Sequence, residues 1–168
     1  LLDRHGGVWT CGENLWEQLG QGVCYSDMRV QPVPTRLLCL PPMRQARIGA
    51  GMLALVSESS ELWLGGWCSS MASRRPLRHS GEVKSVQISN YHVAVVRTDG
   101  TLWTGGYFPQ DGKLARPSTQ AVSDYLAPTE HAGVQACHAC TLGVNRACTA
   151  WAGADGRWQW AGASSLAT

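Results

Sequence analysis

An internal repeat constrains the fold of this 168-residue chain more than any other feature. Three segments carry apolar or small residues at one shared spacing: Met43, Ala46, Ile48, Ala54 and Val56; Val83, Val86, Ile88, Ala94 and Val96; and Cys137, Cys140, Leu142, Cys148 and Ala150. After each segment, five residues separate a small residue from a glycine, at Ser60 to Gly66, Gly100 to Gly106 and Gly156 to Gly162, and Gly6 to Gly12 is a fourth copy near the start. These motifs begin at residues 6, 60, 100 and 156, a period typical of propeller blades or solenoid repeats.

The repeats consist of short β-rich runs bounded by turn residues. Val8-Trp9, Leu62-Trp63 and Leu102-Trp103 lie in runs too short for helices, and no segment shows a sustained helical period. The pairs Asp99-Gly100 and Asp155-Gly156 predict hairpins with type I′ turns, in which both central residues have positive φ. Trp158 and Trp160 are shifted by one place from the tryptophan position of the other copies, which predicts either a bulge or an exchange of faces in the last strand.

Composition supports a packed β protein and argues against several classes. The chain is 44% hydrophobic and 15% charged, with 19 Gly and 8 Pro. Its net charge of +2 gives no general argument for a nucleic-acid partner, and its one basic cluster, around Arg74 to Lys84, is more typical of a solvated loop than of a phosphate site. No apolar run approaches the roughly 18 residues of a membrane span. An odd count of seven cysteines and no signal peptide at the first residues predict an intracellular, reducing compartment.

One segment carries a family resemblance. The run from Gly12 to Gly22 resembles the Gly-x-Asn-x-x-Gly-Gln-Leu-Gly-x-Gly signature of regulator-of-chromosome-condensation (RCC1) repeats, with Glu17 in place of a glycine. Two further stretches, residues 31–34 and 48–51, match the Pro-Val step and the glycine that precedes the next strand in that repeat. The resemblance implies a β-propeller, commonly of seven blades.

The repeats therefore predict an all-β fold, a partial β-propeller of about three blades plus flanking part-blades in antiparallel sheets. We expect a single repeat domain with copies at about 1–42 (partial), 43–82, 83–136 and 137–168. Closed propellers have about 4 to 8 blades, so a stack of this size leaves blade faces and strand edges open. The hypothesis is that the chain is a fragment of a larger propeller or assembly, with partner chains or further blades of the same protein covering those faces.

Aromatic and arginine side chains suggest a protein-binding rim. The aromatics follow the last glycine of each motif, in loops that open on one face of a propeller, and the arginines fall in the segment between Gly66 and Val83, which is expected to be a loop. Aromatic residues and arginine are favoured at interface hot spots. The competing interpretation is that the aromatics only cap their own blades. The candidates are Trp16, Trp67, Arg74, Arg75, Arg78, Tyr107 and Phe108.

The cysteines allow a second interpretation, a metal or redox site. A zinc site could use Cys137, Cys140, Cys148 and His131, and Cys-x-x-C is also a redox spacing. The repeat alignment favours structural thiols, because it places these cysteines at positions that are apolar in the other copies, where cysteine acts as a small hydrophobe. No metal and no cofactor is therefore expected.

Enzyme motifs for hydrolysis, phosphate binding and dinucleotide binding are missing from the sequence. The prediction is a noncatalytic protein-protein interaction scaffold or structural subunit of a larger complex. The resemblance also implies an alternative, guanine-nucleotide exchange on a small GTPase, for which no matching loop is found. The Gly-Trp-Arg-His-Thr motif of light-sensing relatives fails here, because Gly66-Trp67 continues as Cys68-Ser69-Ser70.

Overall fold

All regular elements in the described part of the chain are β-strands. The computed structural model describes residues 1–22, 29–66, 73–89, 92–106, 115, 126–129, 131–141 and 147–162. The strands are β1 (Trp9–Glu13), β2 (Val30–Arg36), β3 (Met43–Ile48), β4 (Met52–Ser57), β5 (Leu62–Gly66), β6 (Ser73–Ser80), β7 (Val83–Ile88), β8 (His92–Arg97), β9 (Leu102–Gly106), β10 (Ala127–Pro128), β11 (Ala136–Thr141), β12 (Ala147–Ala152) and β13 (Trp158–Gly162). No helix of the described residues is long and apolar enough to cross a membrane.

The strands form four antiparallel sheets in which chain neighbours are sheet neighbours. Their orders are β1-β2, β3-β4-β5-β6, β7-β8-β9-β10 and β11-β12-β13. Four-stranded meanders stacked face to face are the blades of a propeller, and the predicted all-β partial propeller is confirmed. The second strand of each inner sheet is buried on both faces: all six residues of β4 are buried, and so are five of the six in β8.

Successive sheets pack through aliphatic clusters, always with the same two faces. We call the side of a sheet that meets the next sheet along the chain its forward face, and the opposite side its back face. Forward-face residues of the second sheet such as Leu62 and Leu64 meet back-face residues of the third such as Val86 and Val95. We call each contact between successive sheets a joint. At the joint between the first and second sheets, Val8 and Leu37 pack on Met43, Leu53 and Leu55. At the joint between the third and fourth sheets, Ala94, Val96 and Leu102 pack on Val134, Cys137 and Trp151.

The small residue that opens each Gly-bounded motif has a left-handed backbone. Gly6, Ser60, Gly100 and Gly156 have φ of 77°, 63°, 80° and 75°. The N–H of each donates to the carbonyl three residues earlier, at 2.9 to 3.1 Å. This is a type I turn followed by a left-handed bulge residue. The predicted type I′ turns are wrong, because Asp99 and Asp155 do not have positive φ and the extra residue lets the ordinary turn match the strand twist.

The same turns connect each sheet to the next one. The carbonyl groups of Gly6, Ser60 and Gly100 accept the N–H groups of Met43, Val83 and Val134, each at 2.9 Å. Met43 and Val83 are the first residues of β3 and β7, Val134 lies two residues before β11, and all three side chains are buried. The repeated motif thus sets both the hairpin and the joint.

Strand register confirms the alignment of the first two copies and corrects the third. Met43, Ala46 and Ile48 pair with β4 as Val83, Val86 and Ile88 pair with β8. In the last sheet Cys137 pairs with Trp151, as Val86 pairs with Val95, so Cys137 matches Val86 and not Val83. The predicted alignment of the third copy is therefore wrong for Cys137, Cys140, Cys148 and Ala150, which were matched to Val83, Val86, Ala94 and Val96. The connection between β11 and β12 is longer than that between β7 and β8, and this difference in length conceals the shift in sequence. Leu142 lies outside the described residues.

The tryptophans of β13 exchange faces with those of the earlier copies. Trp158 pairs with Ala152 as Leu102 pairs with Val96, and the register of β12 with β13 is continuous. Trp158 and Trp160 therefore lie on the forward face, at the positions of Leu102 and Thr104, while Gln159 takes the place of Trp103. Of the two predicted alternatives, exchange of faces is confirmed and a bulge is not present.

We expect Ser60→Gly to stabilise the protein by about 0.5–1 kcal/mol. A side chain in the left-handed region costs roughly 1–2 kcal/mol, and the added chain entropy of glycine offsets part of the gain. Chemical denaturation at neutral pH measures the change.

Gly156→Ala is the matched reverse experiment, because a Cβ there would meet no heavy atom within 4 Å and only the φ of 75° opposes it. We expect it to destabilise the protein by about 1 kcal/mol. A Ser60→Gly variant that is less stable than the wild type would contradict the role assigned to this turn.

Candidate protein-binding surface

The segment that carries the family resemblance folds as a closed loop after β1. Asn14 is almost fully buried, and its side-chain oxygen accepts the N–H of Leu19 at 3.1 Å. Its backbone carbonyl accepts the N–H of Glu17 at 3.1 Å, and the hydroxyl of Thr10 donates to the Leu19 carbonyl at 2.8 Å. A short side chain with an acceptor oxygen fits this position inside the loop, and asparagine supplies it without a charge. The motif therefore has a structural role.

This loop also rests on the second sheet. A methyl group at Gly66 would lie 2.6 Å from the Gly51 carbonyl oxygen and 3.1 Å from the Cα of Gln18. A methyl group at Gly20 would lie 3.1 Å both from a Leu53 methyl and from the ring of Pro76. The glycines permit backbone to pass at contact distance. The loop therefore packs against both β1 and the second sheet.

Trp16 is the one exposed side chain of residues 14 to 20. Its indole is 43% exposed, whereas Asn14, Gln18 and Leu19 are buried. The backbone N–H of Trp16 donates to the side-chain oxygen of Gln18 at 2.8 Å. Glu17, where the family signature has glycine, has a φ of 58° and so holds a conformation that glycine adopts more easily. The loop therefore presents an aromatic side chain on a backbone fixed by buried contacts.

The arginines lie on a strand and not in the expected loop. Arg74, Arg75 and Arg78 belong to β6, the outer strand of the second sheet, so the loop prediction is wrong. The β-branched and apolar content of that segment is low, and pairing with β5 supplies the order that its own sequence does not indicate. The side-chain nitrogen Nε of Arg78 is 2.8 Å from a carboxylate oxygen of Glu61, and the arginine remains 61% exposed.

Only part of the proposed rim can be placed. Gly20 approaches Pro76, so the loop that bears Trp16 meets the strand that bears Arg74, Arg75 and Arg78. Trp67, Tyr107 and Phe108 lie outside the described residues. The shifted tryptophans of β13 were visible in the sequence, but their exposure could not be predicted from it, because the pattern was compatible with a bulge as well as with a change of face.

The cysteine cluster separates over the two faces of the last sheet. Cys137 lies on the back face, 3% exposed, and its thiol is 3.8 Å from the Ala94 carbonyl oxygen in the preceding sheet. Cys148 pairs with Cys140 and lies on the forward face. His131 stacks on Trp151 with ring centroids 4.2 Å apart. Among the residues that the structure describes, no three or more His, Cys, Asp or Glu side chains form a group that could hold a metal ion.

Burial raises the pKa of the Cys137 thiol to about 12. A thiolate is the form that binds metals or attacks a disulfide, and desolvation opposes it here. In the unfolded chain the same thiol ionises near its ordinary value, so its contribution to stability is complete below pH 9 and declines as the pH rises toward 12.

Native Cys137 should resist alkylation at pH 8, while the exposed Cys11 and Cys39 react. We expect iodoacetamide to label Cys137 at least about tenfold more slowly, since its thiol is both buried and protonated. Peptide mass spectrometry measures the rates, and labelling in denaturant provides the control. Equal rates in the native state would contradict the buried position.

Comparison with known proteins shows the fold. No family model matches the chain, and no curated protein matches it. Human WBSCR16 shares 18% identity with this chain at a TM-score of 0.77, and the match covers 95% of this chain and 43% of the WBSCR16 chain. Yeast RCC1 (Prp20), solved with Kap60, shares 15% identity at 0.77, covering 96% of this chain and 40% of its own. Prp20p from Saccharomyces cerevisiae, reported with its binding to Gsp1p and histones, shares 15% identity at a TM-score of 0.77. The match covers 96% of this chain and 41% of Prp20p.

The chain thus has the blade architecture of RCC1-type propeller repeats and spans less than half the length of these structures. The predicted resemblance is confirmed at the level of fold.

Proposed function

We propose that this protein is a noncatalytic protein-protein interaction scaffold, a set of propeller blades whose open faces are covered by further blades or by partner chains. The observation that carries the proposal is the forward face of the last sheet. Trp158 and Trp160 are 54% and 56% exposed there, while Leu102 and Thr104, at the same positions one sheet earlier, are 0% exposed.

The exposed tryptophans occupy positions that the following sheet covers in the second and third sheets. In both inner sheets the forward face is covered by the back face of the next sheet. Two neighbouring indoles are a large apolar surface in water, and tryptophan is enriched where protein interfaces gain most of their binding free energy. A protein surface that contributes a matching sheet face would bury both.

The rim supplies a second contact region. Trp16 is exposed on a loop that is already ordered, so its binding costs little further conformational entropy. Arg78 adds a partly exposed guanidinium on the strand that this loop touches. Aromatic residues and arginine are both enriched at interface hot spots.

The structural neighbours support a binding role of this general kind. Their reports name proteins bound to yeast RCC1 or Prp20p, namely Kap60, Gsp1p and histones. Because the chain spans only about two fifths of those proteins, their partners are not assigned to it. The support extends to the class of activity, which is protein binding.

Size-exclusion chromatography with light scattering tests the open face. We expect the isolated chain to associate with itself or with added partners, and Trp158→Ser with Trp160→Ser to reduce association without lowering the melting temperature, because both side chains are exposed. Leu38→Ser, at a side chain that is 76% exposed and outside the face, is the control. A well-folded wild-type monomer with no affinity for other chains would count against the proposal.

Affinity capture followed by mass spectrometry tests the rim. We expect Trp16→Ala to lower the recovery of partners about tenfold or more, as loss of a hot-spot side chain does. Leu38→Ser again controls for a general loss of apolar surface. If Trp16→Ala leaves recovery unchanged and lowers the melting temperature, the indole caps its own blade.

Guanine-nucleotide exchange is the second candidate, and it rests on the family resemblance alone. A nucleotide-release assay on a panel of small GTPases separates the two functions. A scaffold leaves the release rate unchanged even when it binds the GTPase, while an exchange factor accelerates release.

A further inference from the structure

A cleft lies beside the inner strand of the second sheet, away from both surfaces already considered. It has a volume of about 430 Å³ and is lined by Leu1, Leu2, Arg44, Gln45, Ala46 and Arg47. Leu1 and Leu2 are 81% and 37% exposed, and Arg44 and Arg47 are also exposed. The lining thus combines an apolar wall with two guanidinium groups.

The positive charge continues onto the next sheet. Lys84 follows Val83 on β7 as Arg44 follows Met43 on β3, and its side chain is exposed. Strands β3, β7 and β11 contain no Asp or Glu. Within the described ranges, Arg44, Arg47 and Lys84 form no ion pair, and the pairs found there involve other residues. Arg44 and Arg47 therefore line the cleft without a carboxylate partner among the described residues. Lys84 adds exposed positive charge on the neighbouring strand, where its ammonium group donates to the side-chain oxygen of Gln135 at 3.3 Å.

Hydrogen bonds to neutral groups hold these side chains in place. The two terminal nitrogens of Arg44 donate to the carbonyls of Val83 and Lys84, at 2.6 and 3.1 Å. Arg47 donates to the Ala46 carbonyl at 3.0 Å and to the side-chain oxygen of Gln87 at 3.4 Å. Neutral acceptors orient a guanidinium without neutralising it, and each guanidinium has five N–H donors. The guanidinium groups of Arg44 and Arg47 are therefore held in position without a ligand.

From this arrangement we propose that the cleft binds an acidic peptide segment that carries aliphatic side chains, supplied by a partner protein. Carboxylates of the peptide accept hydrogen bonds from Arg44 and Arg47, with Lys84 adding attraction, and an aliphatic side chain packs on Leu1 and Leu2. Guanidinium groups bind carboxylates in a two-pronged geometry. The two leucines favour a peptide over a free phosphate, which would leave them in water, and the lining offers no aromatic side chain on which a nucleic-acid base could stack.

Fluorescence anisotropy with a labelled hexapeptide of alternating glutamate and leucine tests the proposal on the full chain. We expect binding that weakens as salt is raised, because the charges are exposed. Arg47→Gln should weaken binding about tenfold, the value of one charge-assisted hydrogen bond. Arg157→Gln, whose side chain is 86% exposed on the last sheet, should leave binding unchanged. Melting curves of both variants confirm that they fold.

The ligand controls decide between chemical classes. A glutamate-serine hexapeptide should bind more weakly than the glutamate-leucine one, and a lysine-leucine hexapeptide should not bind. Competition by tripolyphosphate or by single-stranded oligothymidylate as strong as that of the acidic peptide would overturn the assignment to a peptide. Equal binding by the Arg47→Gln and Arg157→Gln proteins, or no binding by the wild type at low salt, would overturn the site itself.

Discussion

The joint between one sheet and the next is the interaction on which the rest of this structure depends. No single sheet of four strands has a core of its own, since its two faces are apolar and both need cover. The second sheet solves this with Leu53 and Leu55 packed on the first sheet, and Ala54 and Val56 packed on the third. A left-handed turn residue adds a backbone hydrogen bond at each joint. Stability is therefore a property of neighbouring sheets taken together.

This dependence explains why the surface of the last sheet is so different from the inner ones. Positions that are fully buried when a following sheet is present carry half-exposed tryptophans where the described chain shows none. In the proposed scaffold role, a matching protein surface would bury this face as the next sheet buries the inner ones. The proposed scaffold role follows from the packing and needs no catalytic group.

The family-like segment after β1 combines a structural role with one exposed side chain. Its buried asparagine and its glycines close the loop and fix it on the second sheet. Its tryptophan is 43% exposed and is the side chain that the proposed scaffold role assigns to a partner. A feature that is recognisable in sequence can thus be structural, while the neighbouring residue, which the signature leaves unspecified, is the one that binding would use.

The sequence alone determined the strand class, the repeat period and the positions of the turns, because glycine spacing and apolar alternation are local properties of the chain. It also placed Trp16 in a loop. Tertiary structure decided the rest. The register of the third copy depended on a longer hairpin, the arginines of β6 became a strand through pairing with β5, and the cysteines were divided between two sheet faces. Each of these outcomes depends on which residue lies opposite another across a sheet or a joint, and spacing along the chain does not specify that.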